Sequence, residues 1–176
     1  LMDKAVPQSW LDQLIDAKLR KLKLQPSPTI DDAAFLRRVS LDLTGQVPTP
    51  EDVKAFVADR TAAKLKRSRL IDKLIASPAF TDHWTLKWAD LLQNTRKYLG
   101  EKGAYNFQEC IRQAVAENRP YDKMVRELLT SRGSSYENPA ANFFRVTRDA
   151  KPTMEKSTQV FLGVRMVCAQ CHDHPF

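Results

Sequence analysis

Two cysteines and a histidine near the end of the chain carry its densest chemistry, in the order Cys168-Ala169-Gln170-Cys171-His172. Two residues between the thiols match the separation of the two vinyl groups along one edge of a haem macrocycle. Thioethers to both vinyls fix the ring, and the histidine directly after the second cysteine falls beneath the iron as its axial imidazole. The spacing therefore predicts covalent haem c on Cys168 and Cys171, with His172 on the iron. The chain has three cysteines and three histidines in 176 residues. At that composition the pattern arises by chance in roughly one chain in a thousand.

Other chemistries suit these residues less well. A redox Cys-x-x-Cys opens a helix after a strand in a thioredoxin-like unit, and no such unit is legible. Zinc is the alternative metal, since Cys168, Cys171, His172 and His174 are donors it favours. Adjacent Cys171 and His172 would strain a tetrahedral shell, and a second ligand pair at the usual separation is missing. A Cys168–Cys171 disulfide is the outcome if haem is never loaded. On the far face of the iron, Met166 and His174 lie too close in sequence to wrap around the macrocycle. His83 and Met154 remain as possible distal ligands, beside water or an open position. His83, next to Trp84, reads equally as a surface or capping histidine. Cys110 falls in the apolar pattern of its helix and reads as a buried, inert thiol. Nothing in the sequence assigns a catalytic residue, so enzyme activity stays open.

The elements that must position this motif are helical almost throughout. Ser9 can cap a helix with Trp10, Leu11, Leu14, Ile15, Leu19 and Leu22 on one stripe. Asp31 or Asp32 opens a second, closed by Gly45. Thr49-Pro50-Glu51-Asp52 starts a third, and a fourth spans about 62–76. Ser77-Pro78 begins the longest, reaching about Tyr98, with Phe80, Trp84, Trp88, Leu91 and Leu92 expected inward and Gly100 and Gly103 breaking it. Helices near 105–118 and 121–131 follow, then a turn-rich stretch, Ser134–Pro139, and a last helix over about 153–162. Phe143-Phe144-Arg145-Val146 is the one strand candidate. The expected fold class is all-α: a multi-helix, bundle-like domain with the Cys-x-x-Cys-His motif after its last helix. It reads as a single domain over 1–176, a piece of a longer multidomain protein. Within it lie N-terminal helices over about 1–60, central helices over 62–131, and the terminal helix with the haem motif over 151–176.

Apolar residues at 43% and charged residues at 28% exclude a disordered chain, and no stretch is apolar enough for a membrane span. Net charge is +7, with clusters Lys18, Arg20, Lys21, Lys23 and Lys64, Lys66, Arg67, Arg69. Leucines alternate with both clusters, so they read as solvated helix faces. No nucleic-acid motif accompanies them, and nucleic acid is not an expected partner.

The ending Phe161-Leu162-Gly163-Val164-Arg165-Met166-Val167-Cys168-Ala169-Gln170-Cys171-His172-Asp173-His174-Pro175-Phe176 resembles the signature of a planctomycete-type family of cytochrome c-associated domains of unknown function. Leu41–Glu51, Leu74–Pro78 with His83-Trp84, Trp88–Leu91 and Asn118–Asp122 resemble further elements of it, so the resemblance covers about residues 5–176. It implies a long, extracytoplasmic protein that continues into a second uncharacterised domain, with a cytochrome c-like module upstream in some members. The expectation is a haem c domain passing electrons to a redox partner or adjoining domain, acidic if the basic faces dock it, in a periplasmic or secreted setting. The alternative is a binding or scaffold module whose Cys/His cluster holds zinc or a disulfide.

Overall fold

The structure, a computed structural model, describes residues 9–167 and 169. Its helices begin where short polar side chains can satisfy free backbone N–H groups. At α1 (Trp10–Lys21) the Ser9 hydroxyl accepts from the Asp12 amide at 3.1 Å, and the Asp12 carboxylate accepts from the Ser9 amide at 2.9 Å. Thr49 and Asp52 make the same reciprocal pair at α3 (Pro50–Ala58). Asp31 caps α2 (Asp32–Thr44) and Ser77 caps α5 (Pro78–Leu91), while α4 (Ala63–Ile75) starts without a side-chain cap. Then follow α6 (Arg96–Ala116), α7 (Tyr121–Thr130), a 3-10 turn at Pro139–Ala141, α8 (Asn142–Thr147) and α9 (Ala150–Leu162). The described residues are helical with no strand, so the fold is all-α as expected.

Helix α2 packs against α3, α4 and α5; α5 packs on α6, α6 on α8, and α8 on α9. The principal apolar core surrounds α6. Phe107 and Phe143 are fully buried in it with Leu92, Leu99, Ile111 and Leu128, and Val160 and Phe161 of α9 close one side. None of its members comes from α1–α4. The stripe of α1 finds no cover among the described residues, and Trp10 is 71% exposed.

Four expectations are corrected. The long helix from Ser77 ends at Leu91, because Gln93 takes a left-handed backbone with φ 58°. Of the residues expected inward, Leu92 is fully buried and Trp88 packs half-buried against the core, whereas Trp84 and Leu91 are exposed and Thr85 and Ala89 take the buried positions of α5. Gly103 does not break a helix: α6 bends at Gly100 (φ 69°) and runs on through Gly103. A Cβ at 103 would stand 3.2 Å from Arg145 Nη1 and 3.3 Å from Asn142 Oδ1, so the glycine admits α8 close to α6. Residues 143–146 lie in α8, where packing against α6 overrides their strand propensity.

The second basic cluster also departs from a solvated face. Lys66 is buried, and its ammonium donates to Phe56 O at 3.1 Å and Asp59 O at 2.9 Å while standing 2.7 Å from Asp32 Oδ2. Arg67 donates to Asp32 Oδ1 at 2.8 Å and to Ile30 O at 2.8 Å. The two cations lie over the rings of Phe56 and Phe35. This cluster joins α2, the end of α3 and α4 over the stacked rings of Phe35 and Phe56.

Hydrogen bonds from Lys66, then from Arg67, hold the Asp32 carboxyl below the usual carboxylate range. The folded pKa lies below the unfolded one, so the stability it lends is complete above the unfolded value. That stability is lost as pH falls through the folded value. Urea midpoints of the wild type should therefore fall on acidification below about pH 4, the ordinary aspartate range. In Asp32→Asn this acid dependence should be weaker. Equal acid slopes for the two proteins would show that Asp32 is not the linked group.

Candidate functional site

The motif is approached through α9. Gly163 ends that helix in a left-handed conformation, φ 69°, and the Val164 amide reaches back to Thr158 O at 3.1 Å. The chain then runs through exposed Val164 and Val167 to a turn in which the Ala169 amide donates to Met166 O at 3.1 Å. Cys168, Cys171, His172 and His174 lie outside the described residues. Among the described residues, no group of three or more His, Cys, Asp or Glu side chains could hold a metal ion.

His83 lies on α5, half-buried in the contact with α2. Its ring rests on Gly45, the residue that ends α2 with φ 68°; a Cβ there would stand 2.9 Å from His83 Cε1 and closer still to Nδ1. Trp84 meets the ring edge-on at 5.9 Å. Gly45 is thus needed twice, for its backbone and for the imidazole it seats. Gly45→Ala should cost about 2 kcal/mol, the scale of left-handed strain in an L-residue, before any displacement of His83. Urea unfolding measures this, and a loss within a few tenths of a kcal/mol would show that the seat is soft.

Met154, the other distal candidate, is exposed on α9. Cys110 carries a free, half-buried thiol on α6, and burial, then Glu127, pushes its pKa up. An elevated thiol is a poor nucleophile at neutral pH, in keeping with the inert role expected of it.

The depressions of the described surface differ in their linings. A cleft of about 370 Å³ between α2, α3 and α4 is lined by Leu36, Thr44, Phe56, Asp52, Asp59 and Lys73. A groove of about 660 Å³ along α6 is charged, with Glu109, Arg112, Glu117, Arg119 and Glu127 on its walls. Another, about 180 Å³, is aromatic: Phe80, Trp84 and Trp88 of α5 face Val115 of α6 and Tyr121 and Met124 of α7. Trp88 and Tyr121 lie 6.2 Å apart and Phe80 and Trp84 6.1 Å apart between ring centres. The Tyr121 hydroxyl donates to Phe161 O at 3.3 Å, tying this groove to the end of α9. Behind Tyr121, the Asn118–Pro120 turn is held by Arg119, which bridges Glu117 at 2.8 Å and Glu127 at 2.5 Å. The sequence reading placed Trp84 within the core and did not foresee this groove. The one available signal was the four-residue step from Trp84 to Trp88, which puts both indoles on one helix face.

A family model described as PSCyt2, protein of unknown function (DUF1549), matches residues 10–176. The chain belongs to this family. The match spans every described helix and extends through the Cys-x-x-Cys-His segment. Comparison with curated proteins and with solved structures yields no match. No described helix is long and apolar enough to cross a membrane.

Proposed function

We propose that this chain is a c-type haem-binding domain that passes electrons to or from a partner or adjoining domain of a larger extracytoplasmic protein. The sequence Cys168-Ala169-Gln170-Cys171-His172 carries the reading: two thiols and an imidazole in the order that attaches and ligates a haem. Each thiol adds across one vinyl group. A carbon–sulfur bond forms, the sulfur's proton passes to the neighbouring carbon, and no oxidant is consumed. His172 would supply an imidazole to the iron, and Asp173 or a backbone carbonyl would orient it by accepting its free N–H. Haem, once bound, supplies a one-electron couple; this chain supplies attachment, a ligand and an apolar surround. Covalent attachment takes place outside the cytoplasmic membrane in bacteria, which sets the compartment. The net charge of +7 suits docking to an acidic redox partner.

The deciding experiment is a pyridine haemochrome spectrum of the chain made in a haem c-maturing host. A c-type α-band on protein that keeps its colour after denaturation is the expected result. No α-band together with stoichiometric zinc would replace this reading with that of a zinc-held scaffold module. His83 stands as the candidate second axial ligand, and its ring is seated on Gly45 in this structure. We expect His83→Ala to leave the Soret band in place, and a shifted band would assign His83 to the iron.

A further inference from the structure

We infer that α1 is a membrane-surface anchor: its exposed apolar stripe and the cations set in and beside it dock on an anionic lipid bilayer. α1 stands at the opposite end of the sequence from the Cys-x-x-Cys-His motif, and this role does not depend on haem.

Successive side chains of a helix are turned by about 100°. Trp10, Leu11, Leu14, Ile15 and Leu22 then fall within an arc of about 140° on α1 and its C-cap. All five are exposed, Leu14 to 60%, and Leu24 adds another exposed apolar side chain just beyond. Asp12, Asp16 and Leu19 lie on the other side of the helix and are half-buried. A helix of a globular domain ordinarily turns its apolar stripe to the core and its acids to water. Here the broad apolar side faces out, and α1 buries no residue.

Charge selects what covers it. Over residues 9–24 every exposed ionisable side chain is a cation: Lys18, Arg20, Lys21 and Lys23. Lys18 and Lys21 fall within the apolar arc itself. On a bilayer their aliphatic stems would lie along the acyl boundary while the ammonium groups stay among the phosphates. The Trp10 ring, apolar with one N–H, suits the same boundary. A protein groove fits this surface less well, because it would have to bury Lys18 in the middle of the stripe. A second copy of the chain would oppose four cations to four. A helix of 12 residues is also only about 18 Å long, so its face supplies a small part of the roughly 1,000 Å² that a stable interface clears.

The test is flotation of the full 176-residue chain with vesicles of phosphatidylcholine, alone or mixed with phosphatidylglycerol. Binding is expected on the anionic vesicles and not on the neutral ones, and it should weaken as salt is added. Trp10→Gln/Leu14→Gln should abolish it. Lys18→Gln/Lys21→Gln should lower the affinity roughly thirty-fold, the scale for two cations at an anionic leaflet. All four side chains are exposed on a helix that buries nothing, so the urea midpoints of both variants should match the wild type. No binding to anionic vesicles, equal binding to neutral ones, or binding that survives either double variant overturns the anchor. A sedimentation-velocity dimer that Trp10→Gln/Leu14→Gln dissolves also overturns it, by giving the stripe to a second copy. The haemochrome is untouched by every one of these results, so the haem reading stands or falls separately.

Discussion

In a haem c-maturing host, the Cys168→Ser/Cys171→Ser double variant is expected to accumulate without covalent haem, a complete loss of the α-band. Serine keeps the size and hydrogen bonding of the side chain and removes the two sulfurs that the motif offers to the vinyls. The fold should survive, because the described apolar cluster is built on Leu92, Phe107, Ile111, Leu128 and Phe143. Far-UV circular dichroism and the urea midpoint should therefore match those of the haem-free wild type. Cys110→Ser is the internal control and should retain full haem, since that thiol sits half-buried on α6. If the wild type carries zinc instead, the double variant loses zinc and the same preparation shows it by metal analysis. If wild type and variant are equally colourless and metal-free, the motif holds neither.

The largest expected effect on stability lies far from the motif. Lys66→Met keeps the aliphatic stem and removes the ammonium that satisfies Phe56 O, Asp59 O and one oxygen of Asp32. Removing one partner of a buried pair costs about 3–5 kcal/mol. Arg67 remains on Asp32, at 2.8 Å, so the low end applies. A loss of about 3 kcal/mol corresponds to a fall in Tm of roughly 6–12 °C for a chain of this size. Lys64→Met, an exposed change two residues away in α4, should move stability by less than about 0.5 kcal/mol. Equal effects of the two substitutions would return Lys66 to the solvated face that its sequence suggested.

What the sequence disclosed and what it concealed divide along physical lines. Ser9, Asp31, Thr49 and Ser77 were legible as helix starts because a cap is made by residues within three positions of one another. Gly45 and Gly163 were legible as stops for the same local reason. The end of α5 was not, because Gln93 adopts a left-handed backbone without being glycine. Gly103 misled because its role concerns Asn142 and Arg145, side chains that α8 brings to it. Lys66 misled for a similar reason, since Asp32 arrives from another helix. The Cys-x-x-Cys-His motif is contiguous and could be read directly. The aromatic groove could not, as it exists only once α5, α6 and α7 meet.

The off-centre core has a mechanical consequence. The apolar cluster around α6 begins at residue 88, and the α2–α4 region in front of it adds the Lys66–Asp32–Arg67 clasp to buried Leu36 and the stacked rings of Phe35 and Phe56. A pull applied near residue 9 meets α1 first, which buries no residue, and then a clasp whose buried lysine is screened only weakly by salt. Loosening at the front of the molecule is thus expected to leave the apolar cluster around α6 closed.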